Sequence, residues 1–276
     1  MKSSLNIKIN KYHGNSAETI EDNIATEEPL EIVLVYGKND NRISKTISVT
    51  MRTPGKDAEL AAGFLFTEGI IQNSDQVSEV KTLHPEENKI QITVKDDAEP
   101  NLMNSGRNFY TTSGCGVCGK TGIDAIRSVS CYNNLKDTII LNPGIFYKLD
   151  NEIKDLQQVF KLTGGIHASV LFELNGKAES VREDVGRHNA LDKLIGYYFI
   201  NDLLPLNNKI LLLSGRASFE LIQKAVMAVI KVVAAVGAPS SLAVELAKES
   251  DITLIGFLKN DRFNVYAGEK RICIRN

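Results

Sequence analysis

Cysteine is sparse in this chain: four in 276 residues, too few for a disulfide framework, which points to a reducing, cytoplasmic location. Long apolar runs are missing too. The longest, residues 225–238, is interrupted by Lys231, so no segment reads as a membrane span. Met1-Lys2-Ser3-Ser4-Leu5-Asn6 is polar and lacks the apolar stretch of a secretory leader. An excess of one charge is absent as well. The formal net charge of −2 offers no bulk attraction to nucleic acid or to a membrane surface. What remains is length enough for one large or two modest domains with a full core.

Two of the few cysteines stand together in Ser113-Gly114-Cys115-Gly116-Val117-Cys118-Gly119-Lys120, followed by residues that read as a helix to about position 129. Glycines on both sides keep the backbone mobile and expose both sulfurs. The positive end of a helix, and Lys120, favour thiolate over thiol. Three chemistries fit such a dithiol. Half of a zinc site needs a second half, and Cys131 and Cys273 are isolated. A thioredoxin-like pair expects a strand just before it, where this chain has a polar loop, residues 104–107. A sulfur-handling nucleophile needs only a reactive, mobile thiolate.

Taken in order, residues 1–28 are polar and acid-rich and read as a weakly ordered tail. Residues 29–142 read as an α+β domain: strands at 30–36 and 42–51, a helix at 57–67, strands at 76–83 and 89–95, then the dithiol loop and its helix. Residues 143–276 have a cleaner rhythm. A strand over 163–173 turns at Asn175-Gly176 and returns over 177–181. Helices over 186–200, 217–229 and 240–249 then alternate with strands over 209–213, 232–236 and 252–257. The order β-β-α-β-α-β-α-β predicts a mostly parallel mixed sheet with helices on both faces, a three-layer α/β/α domain.

In such sheets ligands bind outside the carboxyl ends of the strands. Three βα junctions here are polar and glycine-rich: Arg182 through Asn189, which contains Arg187 and His188; Ser214-Gly215-Arg216-Ala217-Ser218; and Gly237-Ala238-Pro239-Ser240-Ser241. Asp184, Ser214 and Ser240 could each serve only as helix caps. Three such junctions together, two of them with arginine, point to a phosphate-bearing ligand. His167, inside an apolar strand, reads as a satisfied core or cleft-edge histidine. Glu183-Asp184 could do acid–base work or pair with the neighbouring arginines.

Several stretches together resemble the FdhD/NarQ family of formate dehydrogenase accessory sulfurtransferases. They are residues 51–55, 61–69, 113–120, 164–167, 182–193, 214–216, 237–242 and 256–262. One departure is Val229-Ile230-Lys231, where relatives carry a glycine and a proline. The resemblance implies a cytidine-deaminase-like second domain. The zinc-holding H-x-E and P-C-x-x-C of deaminases are not present, however: the corresponding helices begin His188-Asn189-Ala190 and Gly215-Arg216-Ala217. No permanently bound metal is therefore expected. The resemblance further implies a cytoplasmic sulfur carrier that takes persulfide sulfur from a cysteine desulfurase. It would pass that sulfur to the molybdenum bis(molybdopterin guanine dinucleotide) cofactor of formate dehydrogenase before insertion. Cys115 matches the family's carrier; Cys118, nearer the helix and on local electrostatics the better thiolate, is read as assisting release or resolving a trapped persulfide. Phe257, Leu258, Lys259, Asn260, Asp261 and Arg262 match the cofactor-contacting stretch. The junction residues Ser214, Gly215, Arg216, Arg187 and His188 join them as the local anion reading. A homodimer is the family expectation, with no nucleic-acid or membrane partner. The competing readings are a non-catalytic nucleotide- or cofactor-binding module with a structural or regulatory dithiol, and a dithiol oxidoreductase.

Overall fold

The computed structural model describes residues 2–83, 87–102, 109–110, 130–132 and 137–274. The chain does not begin as a loose tail. β1 (Ser4–His13) and β2 (Ser16–Ala25) pair along their full length as an antiparallel hairpin. The two-residue turn between them places Gly14 at φ 58°, where glycine carries no steric penalty. The acid-rich composition hid a period-two pattern, Leu5, Ile7 and Ile9 against Ile20 and Ile24, which is the signature of a strand pair.

β3 (Glu28–Tyr36) and β4 (Ile43–Arg52) form the next hairpin, and α1 (Asp57–Thr67) follows. β5 (Val77–Leu83), β6 (Lys89–Val94) and the short β7 (Phe109–Tyr110) complete a five-stranded sheet of order β5-β6-β3-β4-β7. β3 to β6 and α1 match the sequence reading within a residue or two; β7 was not expected from it. The helix expected to follow the dithiol, to about residue 129, lies outside the described residues.

Beyond the dithiol come α2 (Pro143–Leu156) and α3 (Gln158–Thr163). Asn142 caps α2 by accepting from Gly144 N at 2.8 Å, with Pro143 in the first turn. α3 replaces the start of the strand expected from residue 163. Val159 and Phe160 donate their N–H groups to the Glu183 carboxylate, both at 2.9 Å, and Gly164 ends the helix at φ 65°. This long-range cap overrides the local alternation. Glu183 thus has a structural job rather than an acid–base one.

The second sheet contains β8 (His167–Glu173), β9 (Ala178–Asp184), β10 (Lys209–Leu213), β11 (Val232–Ala235), β12 (Thr253–Gly256) and β13 (Asn264–Ala267), in the order β13-β12-β11-β10-β8-β9. β10, β11 and β12 pair in parallel, while β8 and β13 run against their neighbours. Four strands, β9 to β12, therefore point one way. The crossover helices α4 (Arg187–Ile200), α5 (Phe219–Met227) and α6 (Ser241–Glu249) connect them. All three pack on one face, against Leu171, Leu211, Leu213 and Val233. α2, not expected from the sequence, covers the other face through Phe146, Leu149 and Ile153 on Val170, Phe172, Ile210 and Leu212.

The two sheets are joined by α1 and α4, which lie against each other between them. A Cβ on Gly63 would fall 1.9 Å from the Asp192 carbonyl oxygen, and one on Gly196 1.8 Å from that of Glu59. The helices are in backbone contact, and only glycine allows it. Both are buried nearly all round, as expected of helices with neighbours on every side.

Buried polar side chains stitch the same seam. Asp184, fully buried, accepts from Thr53 N at 3.1 Å, Gly186 N at 2.8 Å and Lys193 Nζ at 2.6 Å. Asp192 accepts from Thr67 Oγ1 at 2.7 Å and Lys224 Nζ at 2.9 Å. Desolvation raises the carboxyl of Asp192 above its ordinary value, against the pull of Lys224. Among the described residues, no helix is long and apolar enough to cross a membrane.

Candidate functional site

Because β9 to β12 share a direction, their carboxyl ends, Asp184, Leu213, Ala235 and Gly256, reach one edge of the sheet. The amino end of β8 joins them there, with His167 opposite Asp184. The connecting loops are knitted into a continuous floor by their backbones. Ser214 N donates to Ala168 O at 3.0 Å, Gly237 N to Gly215 O at 2.9 Å and Phe257 N to Gly237 O at 3.1 Å. Ala217 N donates to Ala238 O at 3.2 Å, and Leu258 N to Ala235 O at 3.1 Å. Close approach requires the glycines: a Cβ on Gly215 would sit 3.3 Å from His167 Nδ1, and one on Gly237 3.0 Å from Arg216 Cα.

Four cations gather at this edge, with Asp261 on the same turn as two of them. Arg216 is exposed, Arg187 half-buried, and Lys259 and Arg262 exposed on the turn closed by Lys259 N donating to Arg262 O at 2.9 Å. Among the described residues none of these four forms an ion pair. Arg187 Nε is buried and has no hydrogen-bond acceptor among the described residues, a donor that normally finds one. His167 lies beside it. Burial first, then the charges of Arg187 and His188, hold its imidazole below the usual histidine range, so it is neutral at pH 7. Its ring makes no hydrogen bond to any described residue. Phe257, at φ 54° and 45% exposed, stands out from the end of β12.

Not every residue singled out from the sequence presents its side chain here. Leu258 is buried in the core behind the sheet. Ser214 Oγ turns inward to accept from Ala168 N at 2.8 Å. His188 is buried, its Nε2 3.3 Å from Ser218 Oγ and 3.4 Å from Glu220 Oε2. Of these three, Leu258 can offer a ligand only its backbone, while Ser214 keeps its O–H free to donate. Gly215, Arg216, Phe257, Lys259, Asn260, Asp261, Arg262 and Arg187 all lie on the edge. Of the three supposed caps, only Ser240 caps its helix, accepting from Ala243 N at 3.3 Å. Cys115 and Cys118 lie outside the described residues.

The sequence left His167 open between core and cleft edge; the structure places it at the edge, opposite Asp184, a register that no local pattern encodes. Sequence reasoning missed the part played by the loop after β4. Met51 O accepts from Asn189 Nδ2 at 2.7 Å, Thr53 O from Lys193 Nζ at 2.8 Å, and Val185 N donates to Thr53 Oγ1 at 3.1 Å. The first sheet thus contributes a wall to the edge of the second. β7 runs parallel to β4, with Tyr110 opposite Val49, so β7 points towards that wall.

Fold and edge together define a mixed α/β protein with a cationic, glycine-floored candidate site at the ends of aligned strands. The profile described as the FdhD/NarQ family matches residues 25–273, and the chain belongs to that family. A relative from Streptomyces avermitilis, named sulfur carrier protein FdhD, is 44% identical over 97% of this chain and 95% of its own length. One of the same name from Picrophilus torridus is 42% identical over 94% and 95%. A crystal structure assigned to a formate dehydrogenase accessory protein of Desulfotalea psychrophila superposes with a TM-score of 0.74. It covers 99% of this chain and all of its own at 23% identity, and shows the shared fold.

Proposed function

We propose that this protein is a sulfur carrier for formate dehydrogenase maturation, a sulfurtransferase that accepts persulfide sulfur from a cysteine desulfurase and delivers it to the molybdenum bis(molybdopterin guanine dinucleotide) cofactor before insertion. Cys115 is the carrier and Cys118 assists release. The cofactor is the substrate, held during delivery by the sheet edge, and the carrier acts as a homodimer in the cytoplasm. The observation that carries the reading is the convergence of Arg187, Arg216, Lys259 and Arg262 on a glycine floor at the wall towards which β7 runs. Diphosphates suit such a floor: arginine forks and close backbone N–H groups bind them with direction. The unpartnered Arg187 Nε and the exposed Phe257 ring suit a phosphate and a base plane.

Chain length supports the pairing of dithiol and edge. Cys115 is five residues beyond Tyr110 and so stays within about 18 Å of it. Thr53, four residues past Val49, is roughly 13 Å along the same direction. In loading, the Cys115 thiolate attacks the terminal sulfur of the donor persulfide. A new S–S bond forms on Cys115, the donor's S–S bond breaks, and the donor cysteine leaves as thiolate.

The test is to incubate Cys115→Ser and Cys118→Ser separately with a desulfurase and cysteine, and then weigh them. Each is next offered to sulfur-deficient formate dehydrogenase cofactor. Cys115→Ser should gain no sulfur and activate none; Cys118→Ser should gain sulfur and deliver it slowly. Restored formate oxidation by Cys115→Ser, with no loading of Cys118→Ser, would reverse the assignment.

A further inference from the structure

Two neighbouring groups at the sheet edge have hydrogen-bonding capacity left over. Arg187 Nε is buried without an acceptor among the described residues, and the His167 ring makes no hydrogen bond to any of them. Two separate elements bring them together. His167 opens β8 and Arg187 opens α4, and His167 pairs across the strands with Asp184, three residues before Arg187. The half-buried ring lies against the glycine floor, where a Cβ on Gly215 would stand 3.3 Å from Nδ1 and 3.5 Å from Cε1. A guanidinium and an imidazole cannot satisfy one another, since a guanidinium offers only donors and repels a charged ring. An oxyanion between them satisfies both.

The nearby acids of the chain are engaged elsewhere. Asp184, opposite His167 on β9, is held by Lys193 Nζ at 2.6 Å and by Thr53 N and Gly186 N. Glu183 accepts from the first N–H groups of α3. Glu220 lies 3.4 Å from Nε2 of His188, the other imidazole at this junction. Arg216, on the next loop, adds positive charge. Burial and the charge of Arg187 keep the His167 ring neutral in the free chain. An arriving oxyanion reverses that balance, because it offsets Arg187 and favours the charged ring. The imidazole then takes a proton from solvent, and both its nitrogens become donors.

We infer that His167 is a ligand-binding residue that shares a diphosphate oxyanion with Arg187 and gains a proton as that oxyanion arrives. The inference rests on the phosphate-cradle reading and adds a residue and a proton to it. The sign follows from linkage. The complex holds more protons than the free chain and free ligand together, so affinity rises as pH falls. A full proton sets the limit at about tenfold per pH unit.

Titration calorimetry on the full chain tests it. The probe is two guanosines joined through their 5′ oxygens by a diphosphate, a diester whose phosphates do not titrate near neutrality. At pH 7, two buffers of different ionisation enthalpy should give different heats, because the buffer surrenders the proton that His167 takes. Affinity should rise by roughly tenfold from pH 8 to pH 6. His167→Gln keeps a donor and an acceptor but cannot be charged. It should keep the parental unfolding midpoint and lose both the difference in heat and the pH dependence. Proton NMR of the four histidine imidazoles reports the same event without substitution: one should move to its charged position when the dinucleotide is added at pH 7, and this decides if the variant does not fold. Equal heats for the unsubstituted chain, no imidazole that gains charge, or a folded His167→Gln that takes up the proton as the parent does, overturns the role of His167 while leaving the cradle. A dinucleotide that does not bind the unsubstituted chain overturns the cradle as well.

Discussion

At the residue scale, function and stability separate cleanly. Arg216 and Arg262 are exposed and their side chains make no hydrogen bond or ion pair among the described residues, so Arg216→Ala and Arg262→Ala should leave the unfolding curve unchanged. Titration calorimetry with GDP, standing for the nucleotide half of the cofactor, should show each weakened by about 1–2 kcal/mol, the range for a charge-assisted hydrogen bond. Unchanged affinity in both would remove the phosphate cradle. Val229 is the converse case. Its φ of 60° is strained for a β-branched residue by about 1–2 kcal/mol. Its side chain is buried, which returns a similar amount. Val229→Gly should therefore be close to neutral in urea denaturation, whereas valine-to-glycine at Val233 should cost several kcal/mol.

The element scale is governed by α1 against α4. Gly63→Ala or Gly196→Ala drives a methyl into the partner's backbone carbonyl, which no rotamer can avoid. The helices must separate, opening the seam that Asp184 and Asp192 bridge. A loss above about 3 kcal/mol is expected, larger than ordinary overpacking because the obstacle is backbone. Retention of the parental denaturation midpoint by either variant would contradict the crossing. A second element, the C-terminal segment after β13, is pinned by Arg271, fully buried, whose guanidinium donates to Asp137 at 2.9 and 2.7 Å and to Asp251 at 2.8 Å. The hydrogen bond from Arg271 is the main reason the Asp137 carboxyl lies below its ordinary value of 3.8. A depressed folded-state value contributes stability above the unfolded value. That stability is lost as pH falls below about 4 through the folded one. Asp137→Asn should lower stability at pH 7 and flatten this part of the acid limb. An acid limb as steep as the parent's would assign the proton uptake elsewhere.

For the whole molecule, one hydrophobic cluster runs from Leu30 and Ile92 through α1 and α4 to Leu211, Val233 and Leu254. Neither sheet can lose its cover without exposing the other's. Chemical denaturation followed by circular dichroism and by tyrosine fluorescence, the chain having no tryptophan, should therefore show coincident transitions. Two separated transitions would mean that the halves fold independently. The same continuity explains how a ligand site can take its wall from the first sheet and its floor from the second.

Periodicity and turn chemistry were enough to read most strands and helices of both sheets, because an amphipathic pattern is a local consequence of one face meeting a core. The glycine- and arginine-rich junctions were legible for a similar reason: chain direction alone sends the ends of β9 to β12 to one edge. What only the tertiary structure decided involves partners far away in sequence. α3 exists because Glu183 caps it across some two dozen residues. The N-terminal hairpin emerges where acidic composition argued for disorder. Leu258, Ser214 and His188 turn inward although their neighbours lie on the open edge. Asp184 is a buried link to Thr53 rather than a cap, since burial and register are properties of the assembled layers and no single stretch encodes them.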